Sequence, residues 1–315
     1  MNLIKCPSCN IPQDERIKEL FEQIEEFIMS PPFQELLELF GFNLKGWNEK
    51  SPKEKINELN SFAKIWDYRG DERWTIQDVE FVEDNKETIL KDVKALGFLD
   101  KEMPSKKPNY ILPLGGARMS NYLRCNLAKE MVDYFNDDID AVVALSGMRP
   151  INKEVEQIYL DKYAPHAETE FDAISAAIEG CFNVKSYEEE RYDDNNINFS
   201  WVKRHYIAEK EYIIDSLAAP SSDSDRRANS LDTFKFFISE YDIKSDDCML
   251  LVTSSHYETY QMLLFMGIAI EKNIFIDTVG VERGTANSGL YKASDFVQEL
   301  KSVVNSMKFL ADKYL

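Results

Sequence analysis

Apolar residues recur at three- and four-residue spacing through much of the first hundred residues, with acidic residues between them. Ile17, Leu20 and Ile24 follow this spacing, which places them on one face of a helix. The pattern therefore predicts an amphipathic first helix, which the two prolines at positions 31–32 interrupt.

Two further helical segments follow in the N-terminal third of the chain. A helix is predicted over about residues 53–66, because Ser51 followed by Pro52 is a typical helix start. Residues 75–99 have another helical pattern, with a break expected at residues 84–85.

After a charged linker with two prolines, at residues 100–108, the pattern changes. Short apolar runs now alternate with longer helical periodicities, which is typical of βαβ units. The strand candidates are residues 110–114, 141–145, 213–217, 249–253 and 274–279. The helical candidates are residues 121–135, 170–182, 230–241, 257–267 and 294–314. The sequence predicts an N-terminal α-helical domain over residues 1–105 and a doubly wound, mostly parallel Rossmann-like α/β domain over residues 106–315.

Two segments between these candidates have weaker signals. Residues 201–207 fit an edge strand, although Lys203 and Arg204 weaken that interpretation. Residues 187–198 are acidic and polar, so we expect a solvated insertion loop there.

The overall charge narrows the classes of function. The formal net charge is -19, which argues against nonspecific binding to nucleic acid or to an anionic membrane surface. The sequence shows neither a signal peptide nor 18 uninterrupted apolar residues, so we expect a cytoplasmic protein that has no membrane span. Cys6 and Cys9 have the spacing of a zinc knuckle, but there is no second pair, so a terminal turn is favoured over a metal or redox role.

Ligands of open parallel sheets bind beyond the carboxyl ends of the strands, so the residues after each strand are the candidate site. After the first strand, Gly115 and Gly116 allow close approach of a ligand, and Arg118 can hold a carboxylate or phosphate. The alternative is a tight turn with a surface arginine. The loop lacks both the GxGxxG fingerprint and the Walker motif.

Polar residues also follow the second strand. Ser146 and Gly147 form a short turn whose hydroxyl and backbone can donate to phosphate oxygens. Thr169 is a candidate helix cap, and Glu170 lies in the first turn of that helix. Glu170 is either a functional carboxylate or ordinary compensation of the helix dipole.

The two later strands end in polar loops. Residues 219–230 include Ser222 and Asn229, and either they form a binding loop or Asn229 simply caps a helix. His256 ends a hydroxyl cluster that includes Thr253 and Ser254. It suits a general acid or base, with a helix-cap histidine as the alternative.

The remaining signals add little. The glycine-rich loop at residues 280–289 fits a lid or a phosphate rim, but equally an ordinary loop. No serine lies in a GxSxG elbow and no cysteine lies in a recognisable Cys/His signature, so covalent catalysis has little support.

In chain order, the motifs GGAR, SGMRP, TEFDAI, RRANS and LLVTSSHYETY resemble the domains of unknown function of the YdcF, SanA and ElyC family. The resemblance covers about residues 109–275. It implies a Rossmann-like cleft formed by Gly115, Gly116, Arg118, Ser146, Gly147, Glu170, Asn229, Thr253, Ser254 and His256.

The resemblance also implies a ligand class. YdcF-like members are reported to bind S-adenosylmethionine, so this compound or a nucleotide is the cofactor that it implies. The sequence departs from the family's pattern at two positions: Arg226 stands where the family usually has threonine, and Thr259 where arginine is common.

Three hypotheses for the function follow. The first is an enzyme that acts on a nucleotide-like or phosphorylated small molecule, with Arg118 and the loop at residues 219–230 holding charge and with His256 and Glu170 transferring protons. The second is a non-catalytic sensor that signals to a protein partner through the helical domain. The third is a purely structural interaction protein, which leaves the polar strand ends unexplained.

Overall fold

The computed structural model describes residues 4–69, 76, 79–99, 102–281 and 292–315. Within them, seven strands form one mixed sheet in the order β3-β4-β5-β2-β1-β6-β7. The strands are β1 (Tyr110–Pro113), β2 (Ala141–Gly147), β3 (Tyr187–Tyr192), β4 (Trp201–Tyr206), β5 (Ile213–Ala219), β6 (Cys248–Ser254) and β7 (Phe275–Val281). The five parallel strands lie within two residues of the predicted ones.

The parallel part of the sheet has the doubly wound strand order. β1 pairs in parallel with β2 on one side and with β6 on the other, so the winding direction reverses between β1 and β6. Almost all residues of these strands are buried, which is why they appear in the sequence as continuous apolar runs. A reversal of this kind leaves a crevice at the carboxyl ends of the two central strands.

Helices cover both faces of the sheet. Those after the first strand are α6 (Ser120–Tyr134), α7 (Lys153–Leu160), α8 (Glu170–Phe182), α9 (Ser230–Glu240), α10 (Glu258–Lys272) and α11 (Ala293–Tyr314). α6 and α8 pack together on one face, whereas α9 and α10 cover the other and α11 packs against α10. The predicted α/β fold is confirmed, and α7 is an additional helix that the sequence reading missed.

The N-terminal region is helical, as predicted. Its helices are α1 (Gln13–Met29), α2 (Pro31–Leu39), α3 (Pro52–Phe62), α4 (Glu80–Asp84) and α5 (Lys86–Ala95). Ser51 caps α3 through a capping box with Glu54, which confirms the predicted helix start. α3 and α5 pack against α11, and one buried apolar cluster extends from Ile4 to Ala311. The boundary at residue 105 therefore stays a prediction.

The expectation of a solvated loop over residues 187–198 is wrong for its first half. β3 pairs antiparallel with β4, and every one of its residues is exposed. A strand exposed on both faces gains backbone hydrogen bonds without burying side chains, so its composition resembles that of a loop. β4 is the strand predicted over residues 201–207, but β3 lies outside it at the edge of the sheet.

None of the helices in the described ranges is both long enough and apolar enough to span a membrane.

Candidate functional site

The loop between β1 and α6 is fixed to both neighbouring strands. The amide of Leu114 donates to the Val252 carbonyl of β6 at 3.0 Å, and the amide of Gly115 donates to the Leu145 carbonyl of β2 at 2.7 Å. The loop therefore continues the sheet past the end of β1 and forms the base of the crevice.

Both glycines of this loop lie where a side chain would collide. A Cβ atom on Gly115 would lie 2.2 Å from a carboxylate oxygen of Glu170, and one on Gly116 would lie 2.9 Å from Cβ of Ser120. The Gly116 amide donates to Asn121 Oδ1 at 2.8 Å. Because protein acceptors occupy both glycine amides, the loop does not offer them to a phosphate in the way a dinucleotide loop does.

Arg124 of α6 crosses the switch point beneath the loop. This side chain is buried, and its guanidinium donates to the carbonyls of Leu114 and Gly115 at 2.7 and 2.6 Å and to Ser254 Oγ at 3.2 Å. It also lies over the ring of Tyr257. Arg124 thereby ties the β1–α6 loop to the end of β6. Sequence reasoning missed this role, since Arg124 lies inside a helix rather than at a strand end.

Arg118 has a different environment. Its backbone is left-handed, with φ of 58°, and Tyr163 Oη donates to its carbonyl at 2.7 Å. The guanidinium lies over the ring of Tyr159, with its carbon 5.4 Å from the ring centroid. Nε is enclosed, and within the described residues the guanidinium has no hydrogen-bond acceptor. A guanidinium in such a position is able to bind an anionic group.

Three charged side chains form an ion cluster beside the loop. Arg149 donates to both carboxylate oxygens of Glu156 at 2.7 and 2.9 Å, and its Nε donates to Glu170 at 2.8 Å. Burial opposes the charge on Arg149, but the two carboxylates outweigh it and raise its pKa. Burial also opposes the charge on Glu156, yet the Arg149 guanidinium holds the Glu156 pKa below its usual range. Sequence reasoning identified only Glu170 of this cluster.

The side chains predicted after β2 and β5 have structural partners. Ser146 Oγ donates to the Leu217 carbonyl within the sheet, and Gly147 lies against Ala228. Asn229 Oδ1 accepts from two amides in the first turn of α9, so it caps that helix. Ser222 is exposed and accepts a hydrogen bond from Arg226 at 2.8 Å. Their roles in ligand binding stay predictions.

The end of β6 brings the predicted hydroxyls to the other side of the crevice. Thr253 is fully buried, and its Oγ1 has no hydrogen-bond partner in the described part of the chain. Ser254 accepts from Arg124, as described above. His256 is only 1% exposed, and its ring contacts Tyr257 and Phe296. Proton transfer by His256 stays a prediction, as does the same role for Glu170.

The loop predicted over residues 280–289 lies mostly outside the described residues. Gly280 itself is described, and a Cβ atom on it would lie 2.4 Å from Cα of Ser255. β7 thus approaches the turn that carries His256 very closely. Cys6 and Cys9 are buried, without a disulfide between them, and lie in the apolar cluster that the N-terminal helices share with α10 and α11.

Comparisons with known proteins place the chain beside proteins of unassigned activity. A family model described as the Rv3785 N-terminal domain matches residues 12–97. The chain is 24% identical to the uncharacterized proteins Rv3785 of Mycobacterium tuberculosis and Mb3814 of Mycobacterium bovis. Each alignment covers 98% of this chain and 94% of the relative. No solved structure matches.

These findings correct the resemblance that the strand-end motifs suggested. Similarity extends over nearly the whole chain to the Rv3785 proteins, and the family match lies in the helical region that the YdcF, SanA and ElyC resemblance left unexplained. That resemblance is therefore wrong. Short turns that contain glycine, serine or histidine are common at the strand ends of doubly wound sheets. Five such turns in order therefore do not identify a family. S-adenosylmethionine loses its support with the resemblance.

Proposed function

We propose that the chain binds a small anionic molecule, nucleotide-like or phosphorylated, in the crevice between the β1–α6 and β6–α10 loops. The Arg118 guanidinium carries this proposal, since no acceptor for it exists among the described residues. The strand order supports the location, because ligands of doubly wound sheets bind where the winding reverses. The occupied glycine amides mean that side chains, rather than the loop backbone, hold the anion.

The contacts at the edge of the crevice support binding by a preformed site. Arg124 fixes the loop to β6, and the Arg149 cluster fixes the start of α8 beside it. Side chains held in this way lose little conformational entropy when a ligand binds. Proton transfer by His256 and Glu170 is the catalytic form of the proposal.

Thermal-shift measurements with nucleotides, sugar nucleotides and phosphorylated metabolites test the proposal. A ligand that binds only the folded state raises the melting temperature. We expect a stabilising compound for the wild-type protein and loss of that shift in Arg118→Ala. Arg191→Ala, which removes an exposed arginine of β3, is the matched control and should keep the shift. An equal shift in all three proteins would place the ligand elsewhere.

A non-catalytic sensor is the second candidate, and one contact favours it. The His256 ring lies 6.0 Å from the ring of Phe296 on α11, and α11 packs against α3 and α5 of the helical region. A change at the end of β6 therefore has a packed route to the N-terminal helices.

His256→Ala distinguishes the two candidates once a ligand is known. Unchanged affinity with lost turnover supports the enzyme. Tight binding without turnover in the wild-type protein, together with ligand-dependent protection of α3 in hydrogen exchange, supports the sensor.

A further inference from the structure

Arg118 and Glu170, two residues of opposite charge, lie beside the β1–α6 loop without neutralising each other. The Arg118 guanidinium has no carboxylate partner within the described residues, although the Arg118 amide donates to Glu156 Oε1 at 3.4 Å. Glu170 is hydrogen-bonded to Arg149 through only one of its two oxygens. Arg118 and Glu170 form no ion pair with each other, although both border the loop that contains Gly115.

The surplus negative charge belongs to the Glu170 side of the loop. Both Nη atoms of Arg149 donate to Glu156, so the Glu156 carboxylate already balances the charge of this guanidinium. Glu170 adds a second negative charge. The Glu170 side chain is 15% exposed, whereas that of Glu156 is 1% exposed. The free oxygen of Glu170 therefore meets solvent or a ligand, and it remains available to accept from a donor.

Gly115 fixes the position of this oxygen relative to the loop. The Glu170 oxygen occupies the space in which any Cβ atom at position 115 would lie. An anionic group at that point would meet the carboxylate at close range, and like charges in a partly buried crevice repel strongly. Arg124, the cation nearest to Gly115, already donates to the carbonyls of Leu114 and Gly115, so the Glu170 oxygen favours a ligand donor beside Gly115.

From this arrangement we infer that the ligand is a zwitterion, with one carboxylate or phosphate at Arg118 and a protonated amine at Glu170. The inference rests on the proposed function, because it assumes that Arg118 holds the anion. It excludes ligands that present only negative charge, such as pyrophosphate, from the β1–α6 side of the crevice.

Matched pairs of small ligands test the inference by isothermal titration calorimetry. 2-Aminoethyl phosphate is compared with ethyl phosphate, and 3-aminopropanoate with propanoate, so that the phosphate and the carboxylate sources are separated. For the anion that fits, the aminated member should bind about tenfold more tightly, the size expected for one charged hydrogen bond. Glu170→Gln should reduce the difference to about twofold. Glu168→Gln, which changes an exposed carboxylate two residues away, should preserve it.

The outcomes separate the inference from the proposed function. Equal binding of the aminated and plain members, or a difference that survives in folded Glu170→Gln, overturns the zwitterion but leaves the anion site. Binding that Arg118→Ala does not weaken, or no binding of any member, overturns the anion site itself. The comparison of the ligand pairs on the wild-type protein decides the inference even where Glu170→Gln does not fold.

Discussion

Two arginines in different regions differ in whether the protein itself supplies acceptors for the Nη atoms of the guanidinium. Arg16 of α1 is fully buried, and its Nη atoms donate to Asn273 and to the carbonyls of Pro7 and Ile274. Arg118 has no acceptor for any guanidinium nitrogen in the described ranges. Nε is unsatisfied in both, so the difference lies in the Nη atoms.

The comparison separates a structural arginine, Arg16, from the arginine proposed to bind the ligand, Arg118. Buried donors are normally paired, and the acceptors around Arg16 join the N-terminal segment to the turn between α10 and β7. Arg118 is half-buried, and the described residues offer its Nη atoms no acceptor, so these atoms are open to solvent or to the proposed anion. Substitutions at the two positions should therefore have opposite effects on stability.

Arg16→Met should produce the largest effect. It leaves several buried carbonyls without donors, and each unsatisfied buried group costs about 1–3 kcal/mol. We expect a loss of about 4 kcal/mol in the free energy of unfolding, measured by urea denaturation. Lys18→Met on the same helix removes an exposed cation and should change this value little. A loss below about 1 kcal/mol would show that the Arg16 contacts are dispensable.

Gly115→Ala should have the second-largest effect, because it disturbs the site rather than the core. The new methyl group would displace the Glu170 carboxylate and press on the Leu145 carbonyl, which lies 3.0 Å from the Cβ position. Overpacking of this kind costs about 2–3 kcal/mol, measurable by the same denaturation. We also expect ligand binding to be lost.

Gly180→Ala is the control for that substitution. Gly180 lies in α8, the helix that begins at Glu170, and a Cβ atom there meets nothing within 4 Å. Alanine should stabilise the helix by about 0.5–1 kcal/mol. If Gly180→Ala destabilises the protein as much as Gly115→Ala does, the effect at Gly115 does not come from its collision with Glu170 and Leu145.

Most of the fold follows from local pattern. β1, β2, β5, β6 and β7 are apolar runs buried on both faces, and the start of α3 has a capping box within four residues. β3 was not predicted, because both of its faces are exposed. Backbone pairing with β4 and surface side-chain contacts, such as that of Arg204 with Glu189, hold it in place. Its sequence, YEEERY, has no apolar alternation to detect.

The site follows from the sequence only in part. Strand ends are visible as the limits of apolar runs, so Arg118, Thr253 and Ser254 were found there. Arg124 and Glu156 lie inside helices, and their roles depend on which loop each helix faces. That information resides in how α6 and α7 pack in the folded chain, and a helical arginine or glutamate in one sequence does not reveal it.

The pH dependence of the stability of Glu156→Gln tests how much the ion pair of a structural arginine, Arg149, contributes. The Arg149 guanidinium outweighs burial and lowers the Glu156 pKa from 4.5. The stabilising contribution of the ionised Glu156 carboxylate is therefore fully present above pH 4.5 and is lost as the pH falls through the lowered pKa of the folded state. We expect the variant to lose about 2 kcal/mol near neutral pH, the contribution of a hydrogen bond to a charged group, because Glu170 still pairs with Arg149.

Urea denaturation across acidic pH checks this prediction. The difference between wild-type protein and Glu156→Gln should shrink as the pH falls below 4.5. Glu154→Gln, on the first turn of the same helix, is the control and should show a smaller difference at every pH. A difference that stays constant with pH would mean that packing, rather than charge, supports the cluster.

Arg118→Gly should have the smallest effect on stability, and whether the free energy of unfolding rises or falls is the most informative result. The left-handed backbone at this position is costly for a residue with a Cβ atom, and glycine removes that cost. Since no guanidinium hydrogen bond within the described residues is lost, the free energy of unfolding should rise by about 0.5–1 kcal/mol while ligand binding disappears. Asn183→Gly, at the left-handed end of α8, should gain less, because asparagine tolerates this conformation. If Arg118→Gly instead lowers stability by more than about 1 kcal/mol, the side chain is structural like that of Arg16, and the anion site loses the residue that carries it.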